Sequence, residues 1–298
     1  MELQMTDIIA SIPNPAFISL YFLLYLICLL GGKLLTKFDS SMAWRMPEPT
    51  RFPPLAIAAF SRGTIEAVRT AIFSMMDKKV LYITGSGPLA RIKQIEGMEK
   101  KLEDPVEIKI YEFLSTSCSP GDILSDKEFL KEIDLSLSPY YREFEDLRLI
   151  RNSGDHFWIW AITVMTTGIA GLSGGYKLSL GISNSKPVGA LIITILLAVT
   201  SLFFFMKPKQ HGKTRLGFAY LKKLKEHFNW LKESCIIGDL PEGVDPALPL
   251  ALYGPGIIAG IEPYILFSNA FAPPASALFN ANSMPADCNT GVDPQYNK

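Results

Sequence analysis

The chain has 298 residues, 29 basic and 29 acidic residues, and a hydrophobic share of 48%. This balance gives no overall attraction for nucleic acid, and the length suits a bundle of membrane helices with a soluble domain of modest size. The apolar residues are concentrated in a few segments, as is typical of a membrane protein.

The first apolar segment follows a short N-terminus, residues 1–13, which we expect to be external. Asn14 is suited to cap a helix and Pro15 to occupy its first position. We therefore predict a transmembrane helix over residues 14–35. A cleaved signal peptide is the alternative, but such a peptide needs a basic start, and no Lys or Arg precedes Asn14.

Two further apolar segments, residues 157–180 and 188–206, predict a second and a third transmembrane helix. Each has about 20 residues, and a helix rising ~1.5 Å per residue then crosses a hydrocarbon core of ~30 Å. A backbone in lipid must satisfy its own hydrogen bonds, so two antiparallel helices are expected. The many Gly, Ser and Thr residues of the first segment favour close helix packing, and a partner helix or a solute path is the alternative.

The outer link carries Lys186, with Lys177 nearby, but the basic residues that flank these segments are more numerous on the other side. Those more numerous residues are Lys33, Lys37 and Arg45 after the first, Arg142, Arg148 and Arg151 before the second, and Lys207, Lys209, Lys213 and Arg215 after the third. The positive-inside rule then predicts an external N-terminus and link (181–187), with the region between the first two helices and the C-terminal region in the cytoplasm.

The cytoplasmic insert is predicted to be mostly helical. A proline-containing linker (36–54) leads into it, and the insert itself covers residues 55–155. A short helix, a longer helix capped by Thr64 and a β-hairpin at 80–92 come first, followed by helices that begin at Asp104. This order resembles a winged helix. The predicted fold class is a mainly α membrane protein with three transmembrane helices and a winged-helix-like cytoplasmic insert.

The charge of the insert argues against DNA binding. Residues 39–155 carry 16 Lys and Arg residues against 19 Asp and Glu residues, which leaves a net charge of −3. Duplex binding gains most of its affinity from phosphate neutralisation, so a protein contact is favoured over a nucleic-acid contact. The pairs Lys78-Lys79 and Lys100-Lys101 are interpreted as solvated surface.

Two apolar patterns follow the third helix. Residues 207–233 predict a basic amphipathic helix that either lies on anionic headgroups or docks on the insert. Its apolar face consists of Leu216, Tyr220, Leu224, Phe228 and Leu231. Residues 247–267 are apolar but interrupted by Pro and Gly, which predicts an interfacial or re-entrant segment rather than a fourth span. The tail, residues 269–298, has little to bury and is predicted to be flexible.

The sequence contains no recognisable constellation for catalysis. Its Cys and His residues are isolated, and no phosphate-binding loop, GxSxG or HExxH motif is present. We therefore assign no catalytic, cofactor-binding or metal-binding residue and no small-molecule substrate. The segment 85–88 is interpreted as a hairpin turn and Cys118 as an idle thiol.

Five short segments carry a family resemblance across most of residues 14–254. They are Asn14-Pro15-Ala16-Phe17 with Leu20-Tyr21, Arg62-Gly63 leading to Ala67 and Arg69, Ile110-Tyr111, Pro187-Val188-Gly189, and Leu250-Ala251-Leu252-Tyr253-Gly254. They resemble an uncharacterised family of bacterial membrane proteins with an N-terminal helix, a helical cytoplasmic insert, a helix pair and often a Gly/Cys-rich tail. This chain lacks such a tail. The resemblance implies no known reaction.

Together these features favour a non-enzymatic adaptor, scaffold or assembly component of the bacterial inner membrane. It would contact the lipid bilayer and a protein partner, through the insert or the membrane helices. One alternative is a membrane enzyme or permease component that uses the apolar segment near Tyr253 and Glu262. A second alternative is a membrane-tethered DNA-binding regulator.

Overall fold

A computed structural model describes residues 14–271, except positions 38, 86, 116–117, 184–187, 208–210, 239, 242 and 262–263. The predicted external N-terminus and residues 272–298 of the predicted tail lie outside this range. The described chain is mostly helical, as the sequence predicts. Its α-helices are α1 (Asn14–Lys37), α2 (Pro54–Arg62), α3 (Thr64–Asp77), α4 (Pro105–Phe113), α5 (Pro120–Ser125), α6 (Lys127–Ser136), α7 (Ser138–Asp146), α8 (Ser153–Ser183), α9 (Gly189–Met206), α10 (Arg215–His227), α11 (Asn229–Ile237), α12 (Ala247–Tyr253) and α13 (Ile265–Phe271).

The chain divides into two compact units, each built from two separate stretches of sequence. The membrane unit consists of Met1–Glu48 and Tyr141–Lys223, and the lobe consists of Pro49–Tyr140 and Leu224–Lys298. The lobe therefore differs from the predicted insert, because it includes chain beyond the third membrane helix and excludes residues 141–155.

The membrane unit contains three helices, α1, α8 and α9, that are long and apolar enough to cross a membrane. This confirms the three candidate spans by length and composition. Side chains from all three helices form two apolar clusters, one around Tyr21 and Leu191 and one around Cys28 and Leu202. The Tyr21 hydroxyl also donates a 3.0 Å hydrogen bond to the Ala170 carbonyl. Of the small residues of α8, Thr163, Thr166 and Gly174 are buried in this packing.

The flanking segments of these helices are hydrogen-bonded to one another. The Arg151 guanidinium donates to the Thr36 carbonyl at 3.0 Å, which joins the end of α1 to the start of α8. The Thr214 hydroxyl donates to the carbonyls of Arg148 (2.5 Å) and Leu149 (3.1 Å), which joins the segment after α9 to the same region. The three basic flanks recognised in the sequence therefore lie at one end of the helices.

The predicted amphipathic helix is interrupted. Helix α10 ends at His227, and α11 begins at Asn229. All five residues of the predicted apolar face are buried within the protein, none more than 8% exposed. Of the two predicted environments for this face, the structure shows packing against protein.

The lobe holds one two-stranded antiparallel sheet in its described part, formed by β1 (Leu81–Thr84) and β2 (Arg91–Gln94). Leu81 lies opposite Gln94, and Thr84 lies opposite Arg91. The second strand begins later than the sequence pattern suggests, because Gly87–Leu89 forms a 3₁₀ turn. Asp104 begins α4 as predicted, and its side chain accepts the Val106 amide at 2.8 Å.

Thr64 does not cap α3. Gly63 occupies the cap position with a φ of 88°, and Thr64 is the first helical residue. The Thr64 hydroxyl instead donates a 2.7 Å hydrogen bond to Asp134 on α6. The predicted cap is therefore wrong, because a positive φ is most easily adopted by Gly.

The segment 247–267, which the sequence predicts to be interfacial or re-entrant, packs into the lobe where it is described, and its position relative to a membrane stays a prediction. Helix α12 packs on α2 and α3 in the lobe, and Leu250, Ala251 and Leu252 are at most 1% exposed. The Pro and Gly residues break the segment into α12, a 3₁₀ turn at Pro255–Ile258 and α13, which a protein core accommodates as readily as a membrane interface.

Helix α13 completes this core and includes the first residues of the predicted tail. The Phe73 ring lies 4.6 Å from Tyr264 and 5.1 Å from Phe267, and Phe271 is 3% exposed. Burial and a 2.7 Å hydrogen bond to Asp77 raise the pKa of Tyr264 above its ordinary value. The phenol therefore stays protonated and keeps donating this bond.

Helix packing in the membrane unit predicts a contrast between two neighbouring glycines of α8. A Cβ at Gly174 would lie 2.6 Å from Ile195 and 3.2 Å from Tyr21, whereas a Cβ at Gly175 would have no neighbour within 4 Å. We expect Gly174→Leu to lower the stability of the detergent-solubilised protein by about 1–3 kcal/mol relative to Gly175→Leu. Both changes raise helix propensity equally, so equal stability in a denaturant titration would contradict the packing.

Candidate functional site

A cavity of about 390 Å³ opens in the lobe, within the size range of small-molecule sites, roughly 300–1,000 Å³. It is formed by one face of α3, the starts of α2 and α4, Tyr140 of α7 and the residues that lead into α12. The lining residues are Pro53, Pro54, Leu55, Thr70, Ala71, Ser74, Lys78, Glu103, Asp104, Pro105, Glu107, Tyr140, Asp245 and Ala247.

Helix α3 supplies a polar stripe to this cavity. Thr70, Ser74 and Lys78 are spaced four residues apart, which places them on one helical face. Residues Ile72 and Phe73 are fully buried in the core. The stripe was not recognised in the sequence, although its four-residue spacing is a signal that could have identified it.

Glu107 is the buried carboxylate of the site, with 4% exposure. It accepts hydrogen bonds from the Ser74 hydroxyl at 2.9 Å and from the Lys78 ammonium at 2.8 and 2.7 Å. A charge so placed needs a partner, because desolvation opposes the ionised form. Lys78 is exposed, as the sequence suggests, but it is paired with Glu107.

The two aspartates of the cavity are held by helix starts. Asp104 accepts the Val106 amide on one oxygen and the Tyr140 hydroxyl, at 2.9 Å, on the other. Asp245 accepts the Ala247 amide at 2.8 Å. These bonds fix both carboxylates, so the acidic wall of the cavity is preorganised.

Thr70 is the unsatisfied group of the cavity. It is 1% exposed, and its hydroxyl has no hydrogen-bond partner among the described residues. A buried hydroxyl without a partner costs roughly 1–3 kcal/mol, so such a group is unusual in a structural core.

Two of the segments that carry the family resemblance meet in the lobe. The Arg62 guanidinium donates to the Leu252 carbonyl at 3.3 Å, and the Ser61 hydroxyl donates to the Ala251 carbonyl at 3.1 Å. Glu66, 8% exposed, lies between Arg62 and Arg69 and is bonded to Arg69. This arrangement fixes α12 on α2 and α3, and its role is structural.

Helix α11 carries both buried and exposed apolar residues. Leu231 and Cys235 are buried in the protein, at 0% and 2% exposure. Trp230, Ile236 and Ile237 are exposed by 46%, 68% and 82%. We call these three exposed residues the α11 surface.

The other residues singled out in the sequence do not join a site. Cys118 is half-buried and forms a β-bridge with Ile92. The Tyr253 hydroxyl donates to the carbonyls of Lys225 and Phe228, and burial raises its pKa. Glu262, which the enzyme alternative needs beside Tyr253, lies outside the described residues.

The joint between the two resemblance segments predicts a strong effect at Gly254. Its φ is 89°, and an added Cβ would lie 3.0 Å from Cζ of Arg62. We expect Gly254→Ala to destabilise the protein by more than about 1 kcal/mol in thermal unfolding, through backbone strain and displacement of Arg62. Gly256→Ala is the matched control, because no atom lies within 4 Å of its added Cβ. Similar losses in both variants would contradict this account.

The pair of Lys78 with the buried Glu107 carboxylate predicts a double-mutant cycle. Lys78→Met leaves the Glu107 carboxylate buried with only the Ser74 hydroxyl as partner, and we expect a loss of roughly 1–3 kcal/mol. Adding Glu107→Gln should restore part of that loss, because no charge then remains without a cation. Chemical denaturation measures all four proteins, with Lys100→Met as the control for a surface lysine. Additive losses in the double variant would refute the coupling.

Comparisons with known proteins identify no similar protein. No protein-family model matches the chain, and no curated protein and no solved structure matches it either.

Proposed function

We propose that this protein is a non-enzymatic adaptor or assembly component of the membrane, which binds a protein partner through its lobe. The observation that carries the proposal is the α11 surface. The three candidate spans of the membrane unit supply the membrane attachment.

The α11 surface fits a protein contact. Helix α11 already packs Leu231 and Cys235 into the protein, so its exposed apolar residues are not needed for that packing. Trp is among the residues that contribute most to binding at protein interfaces. Exposed apolar groups of this size on one short helix indicate an interaction site.

A lipid contact is the competing explanation for this surface, and local charge disfavours it. Lys232 and Glu233 lie between the exposed residues, so the helix offers no net positive charge to anionic headgroups. An acidic side chain beside the apolar residues is better matched by a protein surface of mixed charge.

The proposed location follows from the basic flanks. Because these flanks lie at one end of the three helices, we infer that this end faces the cytoplasm of a bacterial cell and that the lobe is cytoplasmic. The predicted external N-terminus lies outside the described residues, as does the outer link apart from residues 181–183, which end α8.

The winged-helix-like character of the lobe stays a prediction. Helices α2 and α3 followed by the β1–β2 hairpin support it, and Leu89 near the tip of that hairpin is 79% exposed. An apolar hairpin tip is better suited to contact a protein surface than the phosphates of DNA. The DNA-binding alternative has no basic stripe to support it, and filter binding of the full-length protein to duplex DNA at low salt tests it.

The partner surface predicts the effect of a double substitution, Ile236→Ser with Ile237→Ser. We expect it to weaken binding of the protein that co-purifies stoichiometrically from gently solubilised membranes by at least about tenfold, because the apolar centre of the interface is lost. Both side chains point outward, so the unfolding midpoint should change little. Affinity is measured with the purified partner by calorimetry.

Leu135→Ser is the matched control, because Leu135 is a lone residue on α6 with a similar exposure of 64%. It should leave partner binding unchanged. Binding of the wild type, but not of the double variant, to phosphatidylglycerol vesicles would assign the surface to lipid instead. A preparation without a stoichiometric partner but with measurable turnover would reject the adaptor proposal.

A further inference from the structure

We propose that the lobe cavity binds an organic cation, with a primary ammonium or guanidinium group at the end of an aliphatic stem. This site is separate from the α11 surface, and the inference does not depend on the adaptor proposal. Four observations on the lining residues carry it.

The first observation is charge. The described lining contains four carboxylates, those of Glu103, Asp104, Glu107 and Asp245, against one cation, Lys78. The formal charge of the lining is therefore −3. Lys78 is engaged with Glu107, so three carboxylates remain without a cation from the lining. A cavity with a net negative charge attracts cations and repels anions.

The second observation is Thr70, a residue of the cavity lining whose hydroxyl is buried and has no hydrogen-bond partner among the described residues. An ammonium group has three donors and accepts nothing, so it needs several oxygen acceptors around it. The hydroxyl can act as one of them after a rotation about the Cα–Cβ bond of Thr70. A ligand that used it would relieve an unmet hydrogen bond of the free protein.

The third observation is the apolar part of the lining. Pro53, Pro54, Leu55, Ala71 and Pro105 offer carbon surface beside the acidic groups. Such a wall suits the methylene groups of a diamine or of a Lys or Arg side chain. The volume of about 390 Å³ leaves room for the stem as well as the charged head.

The fourth observation concerns the geometry of the carboxylates. Asp104 and Asp245 are fixed by helix-cap hydrogen bonds, and Glu107 is fixed by Ser74 and Lys78. A divalent ion requires its oxygen ligands at 2.0–2.6 Å from one point, which is about the range for Mg²⁺ and Ca²⁺. Carboxylates that are already held by hydrogen bonds within the protein favour a larger cation that contacts them at hydrogen-bond distances.

The cationic group on an aliphatic stem could belong to a free diamine or to the basic side chain of a protein. Cadaverine represents the first, and a blocked Gly-Lys-Gly peptide represents the second. Pentanediol of the same length is the uncharged control. Isothermal titration of the full-length protein in detergent at low salt measures each affinity.

We expect cadaverine or the peptide to bind and pentanediol not to bind. Thr70→Val should weaken that binding about tenfold, the effect of one hydrogen bond to a charged group. Thr70→Ser, which keeps a hydroxyl, should retain most of the affinity. Glu103→Gln should weaken binding a few-fold at low salt only, because Glu103 is exposed and screened by ions.

The stability of the free protein separates binding from folding. Thr70→Val removes an unpaired buried hydroxyl without changing side-chain size, so its unfolding midpoint should equal or exceed that of the wild type. Weaker cation binding by Thr70→Val, together with an unfolding midpoint that is no lower than that of the wild type, is a result that a purely structural role of Thr70 cannot give.

Several outcomes would overturn the inference. They are equal affinity for cadaverine and pentanediol with no binding of the peptide, equal cation affinity of Thr70→Val and the wild type, and binding of Mg²⁺ or inorganic phosphate in place of the organic cations. Binding of the peptide alone supports a protein side chain as ligand, and binding of cadaverine alone supports a small molecule. Neither result bears on the α11 surface, whose variants test the adaptor proposal separately.

Discussion

The packing of α12 on α2 and α3 is the interaction on which the lobe depends. It joins chain segments that lie 190 residues apart, through the bonds of Ser61 and Arg62 to the carbonyls of Ala251 and Leu252. Helix α2 presents Ala56, Ala59 and Phe60 to the core, and a short chain cannot bury them alone. The core of the lobe is therefore complete only with the segment beyond the third membrane helix.

This constraint explains why the sequence located some parts well and others poorly. The three candidate spans were predictable because a long apolar run in lipid leaves only one local structure open to the backbone. The start of α4 at Asp104 was predictable because its cap is a contact between near neighbours in sequence. Segment 247–267 was not, since its composition suits a membrane interface and a broken core helix equally well. Only its long-range contacts distinguish the two.

The cavity escaped prediction for the same reason. Its polar groups come from α3, α4, α7 and the start of α12, so no local motif contains them. The spacing of Thr70, Ser74 and Lys78 on α3 was the one local signal. Four-residue polar spacing usually marks a solvated helix face, and Lys78 was interpreted in that way. Its pairing with the buried Glu107 depends on a residue 29 positions away.

The position of Asp245 connects the fold to the cavity. This carboxylate begins α12, so the contact that closes the lobe also sets one acidic wall of the site. Functional sites often contain residues that lower the stability of the free protein, such as a buried polar group without a hydrogen bond. Such a residue is retained where a ligand uses it. Thr70 has this character, whereas the buried Glu66 beside Arg62 and Arg69 has charged partners and a structural explanation. Glu66 and Thr70 are the two buried polar residues of α3. Thr70, which lacks a partner, lies on the side of the helix that lines the cavity, where a ligand would supply the missing hydrogen bond.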